Sequence, residues 1–352
     1  MSDRHTRWLA DLRADDTPRF GGKSTSLGEL LHAEVPVPPG FALATTAFDA
    51  FLAAAGLEGR VAEALEHMDA RDIGSVQAAA AAVPAAVTAT PVPDDVCAEI
   101  GAGYAALAAE VGGGDDIPVA VRSSAVGEDS ATATFAGQQE TSLWVRGVDA
   151  VCDAVRDCWA SGWSTPAMSY RARLGGDPRP QMGVAIQLMV DATVSGVMFT
   201  CNPVSGDPSV IAVNASWGLG QGVVGGEVTP DEFFVSRVTR EIVRQTTGTK
   251  HVEYRPAAAG GTERRPVTEE RQAEPCLGEE QLAELVSVAR VVQRHFGRHQ
   301  DVEWAIGPDG VLYVVQSRPV TATGATADER EAAPMSALSL VMNRFGAGGA
   351  GG

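Results

Sequence analysis

VAVRSSAVGEDSATATFAGQQETSLWV, residues 119–145, opens as a short apolar strand that delivers Arg122, then Ser123, Ser124 and Gly127. An acidic pair, Glu128 and Asp129, follows, and after the small-residue run SATATFAGQ comes a second strand pattern, ETSLWV. A guanidinium at the end of a buried strand, followed by Ser and Gly, suits a polyanion held by the arginine fork and by backbone N–H groups. The same residues also make a plain strand–loop–strand hairpin with Arg122 paired to Glu128 or Asp129. The rest of the chain weighs between the two.

Upstream, FGGKSTSLGELLHAEVPVPPGFALATTAF places Lys23 at a glycine turn that opens a helix over residues 24–32. The first-turn N–H groups and the helix dipole favour a phosphate there. It is not a Walker A loop, because the glycine required five residues before Gly22 is Thr17. A solvated lysine near a helix start is the alternative. Only Lys23 and Lys250 are lysines among the 27 basic residues, so each position carries more information than a lysine usually does.

Residues 1–20 read as a lead-in with a short helix around Trp8 to Leu12, and residues 40–45 as a strand. Residues 46–115 are alanine-rich with helical periodicity, a helical insert without evident chemistry. Past residue 145 the pattern alternates an amphipathic helix (148–161), apolar strands (182–190, VSGVMFTCNP, SVIAVNASWGLG) and glycine turns, which predicts an α+β or mixed-sheet protein. Gly220, Gly222 and Gly225 have GxGxxG spacing, but a strand pattern with Pro230 follows instead of a helix, so a dinucleotide fold is not indicated. Residues 256–275 read as a polar loop and residues 279–296 as an amphipathic helix, with His295 and His299 near its end as helix-terminal cations.

DVEWAIGPDGVLYVVQSRP, residues 301–319, is a hairpin with its turn at GPDG. Pairing Ile306 with Val311 puts Val302, Trp304, Ile306, Val311, Tyr313 and Val315 on a core face. Asp301, Glu303, Gln316 and Arg318 then emerge together on the other. Hard oxygen ligands beside a guanidinium suit Mg2+ and a phosphate chain; cross-strand charge pairs on a surface hairpin are the alternative.

With 352 residues the chain has room for about two domains. A net charge of −18 argues against a nucleic-acid surface. No apolar run spans a bilayer and residues 1–16 lack a signal-peptide core, so a cytoplasmic protein without membrane partner is expected. The five cysteines form no CxxC pair, which predicts buried free thiols rather than a disulfide or zinc framework.

Together, GGKSTSLGELL…VPVPPGF (21–41), VRSSAVGEDSATATFAGQQET (121–141), AIQLMV…SGVMFTCNP (185–203), WGLGQGVVGGEVTPD (217–231) and DVEWAI…VVQSRPV (301–320) resemble the ATP-binding domain of the pyruvate phosphate dikinase and phosphoenolpyruvate synthase family, which includes rifampicin phosphotransferase. The resemblance implies an α+β ATP-grasp fold with two subdomains and the nucleotide between them: residues 1–190 with the insert at 46–115, residues 191–323, and a linker-like tail at 324–352. It implies ATP and Mg2+ as cofactors. Lys23, Arg122 and Arg318 would hold phosphates and serve catalysis, and Gly137 and Thr141 would line the nucleotide site. Gln187, Leu188, Met189 and Val190 would form the adenine hinge, and Glu303 and Gln316 would ligate the metal. Gln221 departs from the glutamate that many relatives carry after GLG.

The family passes phosphate to a histidine in a Thr-rich motif on a separate swivelling domain. None of His5, His32, His67, His251, His295 and His299 lies in such a motif. The expectation is an ATP-dependent phosphotransferase of dikinase type that needs a partner polypeptide or further domain carrying the histidine and the acceptor site. The ATP-binding half of a split antibiotic or specialised-metabolite phosphotransferase or ligase, and a catalytically idle nucleotide-sensing subunit, are the alternatives.

Overall fold

The computed structural model describes residues 5–69, 72–127, 141–174 and 179–320. These form two compact units, the first running to Gly28 and resuming at 39–127 and 141–189, the second taking Glu29–Pro38 and residues 190–320. Gly137, Glu128 and Asp129 lie outside the described residues, as does the tail after residue 320.

The first unit is a five-stranded antiparallel sheet with a helical core on one face. Its elements are β1 (Thr6–Trp8), α1 (Thr17–His32), β2 (Gly40–Leu43), α2 (Thr45–Ala54), α3 (Glu58–Glu66), α4 (Ile73–Thr88), α5 (Asp94–Val111), β3 (Val119–Ala125), β4 (Thr141–Val145), α6 (Val148–Ser161), α7 (Thr165–Leu174) and β5 (Met182–Leu188). Strand order is β1-β2-β5-β3-β4. The alanine-rich segment is helical as expected, because its bulky residues recur on one face while alanines let the helices approach closely. α5 shows the local logic: it begins at Pro93-Asp94-Asp95, where acids meet the positive helix end, and stops at Gly112 in the left-handed conformation. Val119 and Val121 of β3 and Val184 and Ile186 of β5 bury themselves under these helices. Trp159 of α6 stacks on Phe48 and Phe51 of α2 at 5.4 and 5.1 Å.

The lead-in differs from the expected short helix. Thr6–Trp8 pairs as an edge strand with β2, and within the expected helix Trp8–Leu12 the 3-10 turn Leu9–Asp11 alone is helical. Edge pairing satisfies backbone groups that a single isolated helical turn would leave open.

The second unit is a six-stranded antiparallel sheet of order β13-β12-β6-β7-β8-β9. It comprises β6 (Val194–Phe199), β7 (Val210–Trp217), the one-turn α8 (Gln221–Val224), β8 (Asp231–Ser236), β9 (Ile242–Thr246), β10 (Val252–Pro256), β11 (Thr262–Pro266), α9 (Glu269–Ala273), α10 (Glu279–Phe296), β12 (Gln300–Ile306) and β13 (Leu312–Pro319). α10 buries Leu282, Leu285, Val286, Ala289 and Val292 along one stripe and is closed by Gly297 in the left-handed region. His295 near its end bonds Glu29 at 2.7 Å, and His299 Nδ1 lies 3.2 Å from Thr200 Oγ1.

Two expectations are corrected here. Residues 256–275 are not a loop: β10 and β11 form a hairpin turned by Gly260 and Gly261, both at positive φ, and α9 follows. The exposed, charged β11 carries no alternating apolar pattern, which is why periodicity missed it. The β12–β13 register also differs. Ile306 pairs with Leu312 and Trp304 with Val314, and then a bulge shifts the ladder so that Glu303 pairs with Gln316 and Asp301 with Arg318. Leu312 and Val314, not Val311, Tyr313 and Val315, complete the core face; Val311 is exposed and Tyr313 and Val315 half-buried. The extra residue, Val315, inverts side-chain parity in β13, so Gln316 and Arg318 leave the face that Val314 and Leu312 occupy.

Candidate functional site

In the first unit, two motifs far apart in sequence meet. α1 breaks at Gly21 (φ 77°, ψ 167°), and the helix restarts at the Gly22-Lys23 turn. A Cβ on Gly21 would lie 1.8 Å from the carbonyl oxygen of Ser124, so this backbone approach needs glycine. Ser124 Oγ accepts from the Ser24 N–H at 3.0 Å and so caps the restarted helix, while Lys23 Nζ donates to the Ser123 carbonyl at 3.2 Å. Lys23 thus stands near the end of β3, which runs on through Ser123 and Ser124 to Ala125, so Arg122 lies mid-strand and not at the strand end that the sequence suggested.

The sheet register groups the remaining first-unit candidates. Arg122 lies directly opposite Thr141 on one side and Ala185 on the other, and Ala120 opposite Gln187. Arg122, Thr141 and Gln187 therefore share the face turned away from the helical core, since directly opposed residues project to the same side. At the expected hinge, the Leu188 N–H donates to Pro39 and the Met189 N–H to Pro118, both within the strand framework.

In the second unit, Gln316, Glu303, Val197, Asn214, Glu232 and Thr246 form one row across all six strands, each directly opposite the next. The neighbouring row runs Arg318, Asp301, Phe199, Ala212, Phe234, Arg244. Asp301 is buried, and Arg318 donates to its Oδ2 through Nε and Nη2, both at 2.9 Å. The pair fixes the guanidinium on the site face. Glu303 and Gln316, side by side, present a carboxylate and an amide oxygen, a donor set that fits a hard divalent cation. Further along the row, burial pushes the Glu232 carboxyl up despite the Arg244 guanidinium 2.7 Å away.

The glycine-rich stretch lies on this same face. Val223 and Val224 of α8 pack on Val197, Phe199, Ala212 and Phe234. Gln221 turns toward β11, its Oε1 accepting from Thr262 at 2.9 Å. Among the described residues no cluster of three His, Cys, Asp or Glu side chains is arranged to hold a metal. Any ion at Glu303 and Gln316 would therefore take its remaining ligands from phosphate oxygens or water. Ser124 and Asp301 are the supporting residues that the assignment of ligand-touching groups left out; the serine pair after Arg122 and the acid at the hairpin's open end were their sequence signals.

A lysine beside the strand that carries Arg122 in one unit, and a carboxylate–amide pair next to a guanidinium in the other, are groups chemically suited to phosphate oxygens and a hard cation. The pyruvate phosphate dikinase AMP/ATP-binding domain family matches residues 17–337, and the chain belongs to that family. A probable phosphoenolpyruvate synthase of Methanothermobacter thermautotrophicus is 39% identical over 93% of this chain and 48% of the relative. A rifampicin phosphotransferase of a Streptomyces species is 41% identical over 91% of this chain and 36% of the relative. The chain thus spans about half or less of these curated relatives' length. Among solved structures, the D-alanyl-alanine synthetase A of Vibrio cholerae overlaps 91% of this chain and 61% of that one, at 9% identity and a TM-score of 0.32. No helix among the described residues is long and apolar enough to cross a membrane.

Proposed function

We propose that the chain is the ATP-binding part of a phosphoenolpyruvate synthase-like or dikinase-like phosphotransferase, one that binds Mg-ATP and phosphorylates a histidine on a separate domain or polypeptide. The net reaction is ATP + histidine + water → phosphohistidine + AMP + phosphate. The observation that carries the reading is the Glu303–Gln316 pair adjoining the Asp301–Arg318 pair on one sheet face. Glu303 and Gln316 would hold Mg2+, which supplies charge neutralisation to the phosphates. Arg318, oriented by Asp301, would meet charge developing on the transferring group. Lys23 and Arg122 would take the remaining phosphate oxygens, with Thr141 and Gly137 lining the nucleotide. At the hinge Gln187–Val190, the Leu188 and Met189 N–H groups are already engaged. An adenine edge would be read by the hinge carbonyls and the Val190 N–H.

A second reading, transfer to an antibiotic or other specialised metabolite through the same histidine relay, is favoured by the 41% identity to a rifampicin phosphotransferase. Both share the first half-reaction, so the test is made there. Calorimetric titration of the chain with ATP is expected to show binding that depends on Mg2+. With a histidine-bearing partner supplied, AMP is expected to form, and Arg318→Ala to abolish it with the fold retained. No Mg-ATP binding by the wild type would overturn the reading, and undiminished AMP formation by the variant would remove Arg318 from catalysis.

A further inference from the structure

Lys250 and Asp231 are both wholly buried and paired with each other. The ammonium spends its three protons on Asp231 Oδ1, the Gly248 carbonyl (2.9 Å) and the Gln272 carbonyl (3.0 Å). Asp231 is equally full: Oδ1 also accepts from the Gly248 N–H at 2.8 Å and Oδ2 from the Cys276 N–H at 2.7 Å. An arginine fork, with five donors in a plane, does not match three acceptors around a point, which accounts for a lysine here in an arginine-using chain. Buried ion pairs add little net stability over apolar packing, and their best-attested use is to fix one arrangement.

What is fixed is the segment 248–254, and this segment ties both roots of the glycine-rich stretch 218–230. At the entry, the Leu219 N–H donates to the Tyr254 carbonyl at 2.9 Å. Gly218, at φ +74°, comes so close that a Cβ would sit 2.5 Å from the same oxygen. At the exit, the Lys250 N–H donates to Thr229 at 3.2 Å, and a Cβ on Gly248 would lie 2.1 Å from the Thr229 carbonyl. Between the roots, Glu227 bonds Tyr254 and Arg264.

We infer that Lys250, through Asp231, is a positioning residue for nucleotide binding: it locks a strap across the glycine-rich stretch and so sets where that stretch lies on the sheet face that carries Glu303 and Gln316. The inference rests on the Mg-ATP reading above, and its test separates the two. Mg-ATP affinity is measured by calorimetry on the full wild-type chain, on Lys250→Met and Asp231→Asn, and on Leu285→Ala. Leu285→Ala is a fully buried change on α10, outside the strap and the glycine-rich stretch in sequence, that weakens the second unit. Amide hydrogen exchange is followed over residues 218–229.

Both strap variants are expected to bind Mg-ATP about tenfold more weakly, since small misplacements of binding groups have effects of this order or larger. Exchange in the stretch should rise, while Leu285→Ala, with an equal or larger fall in Tm, keeps wild-type affinity. If Lys250→Met does not fold, Asp231→Asn, which retains one acceptor oxygen, carries the test. Wild-type affinity in a folded strap variant, or an equal affinity loss in Leu285→Ala, overturns the inference and leaves the Mg-ATP reading standing. A wild type that fails to bind overturns that reading itself.

Discussion

A methyl group on Gly21 would meet the Ser124 carbonyl at 1.8 Å, in a backbone conformation that only glycine adopts readily. Gly21→Ala is therefore expected to destabilise the first unit by at least about 3 kcal/mol, strain and overpacking together. Gly56→Ala, also at positive φ but with nothing within 4 Å, should cost about 1 kcal/mol, so urea midpoints of the two variants separate clash from conformation. Glu232 makes a different residue-level prediction. Burial raises its folded pKa above the unfolded value, so its protonated form is favoured in the fold. Whatever stability this gives is present below the unfolded pKa of about 4.3 and is lost as pH rises through the folded one. Glu232→Gln should accordingly melt higher than wild type at pH 8 and level with it at pH 4, by Tm across a pH series.

At the scale of elements, the bulge in β13 is what sets Gln316 opposite Glu303 and Arg318 opposite Asp301. Deleting Val315 removes the extra residue and returns Gln316 and Arg318 to the core parity, so the variant should lose Mg-ATP-dependent stabilisation. Val315→Ala, which keeps the register, should retain it; ligand at a hundredfold its Kd raises stability by about 2.7 kcal/mol, readable as a thermal shift. That Asp301, Glu303, Gln316 and Arg318 share a face was legible, because their polar character interrupts an apolar strand beside a turn. The bulge was not, because an inserted residue is visible only against the partner strand. Likewise the helical insert announced itself through periodicity, whereas the meeting of Lys23 with Ser123, 100 residues apart, depends on a glycine kink whose need appears only when the strand is in place. The β10–β11 hairpin was hidden for a third reason: β11, the strand that falls inside residues 256–275, stands largely exposed and buries no alternate face.

Across the whole molecule, the free thiols are an independent check on the two cores. Four of the five cysteines are buried and Cys97 is half-buried, with burial raising its thiol pKa. Ellman's reagent should thus label Cys97 alone, slowly, in the native protein and all five in denaturant. Lys250, sealed at 0% exposure, has a parallel consequence for amine chemistry. Apart from the terminal amine, the folded chain offers acylating reagents a single side chain, Lys23, since the only other lysine is enclosed. One mass-tagged peptide would then report on the whole population: its labelling should fall when Mg-ATP is added and not when Mg2+ is added alone. A second labelled peptide around residue 250 would serve as an internal gauge of unfolding in the same spectrum.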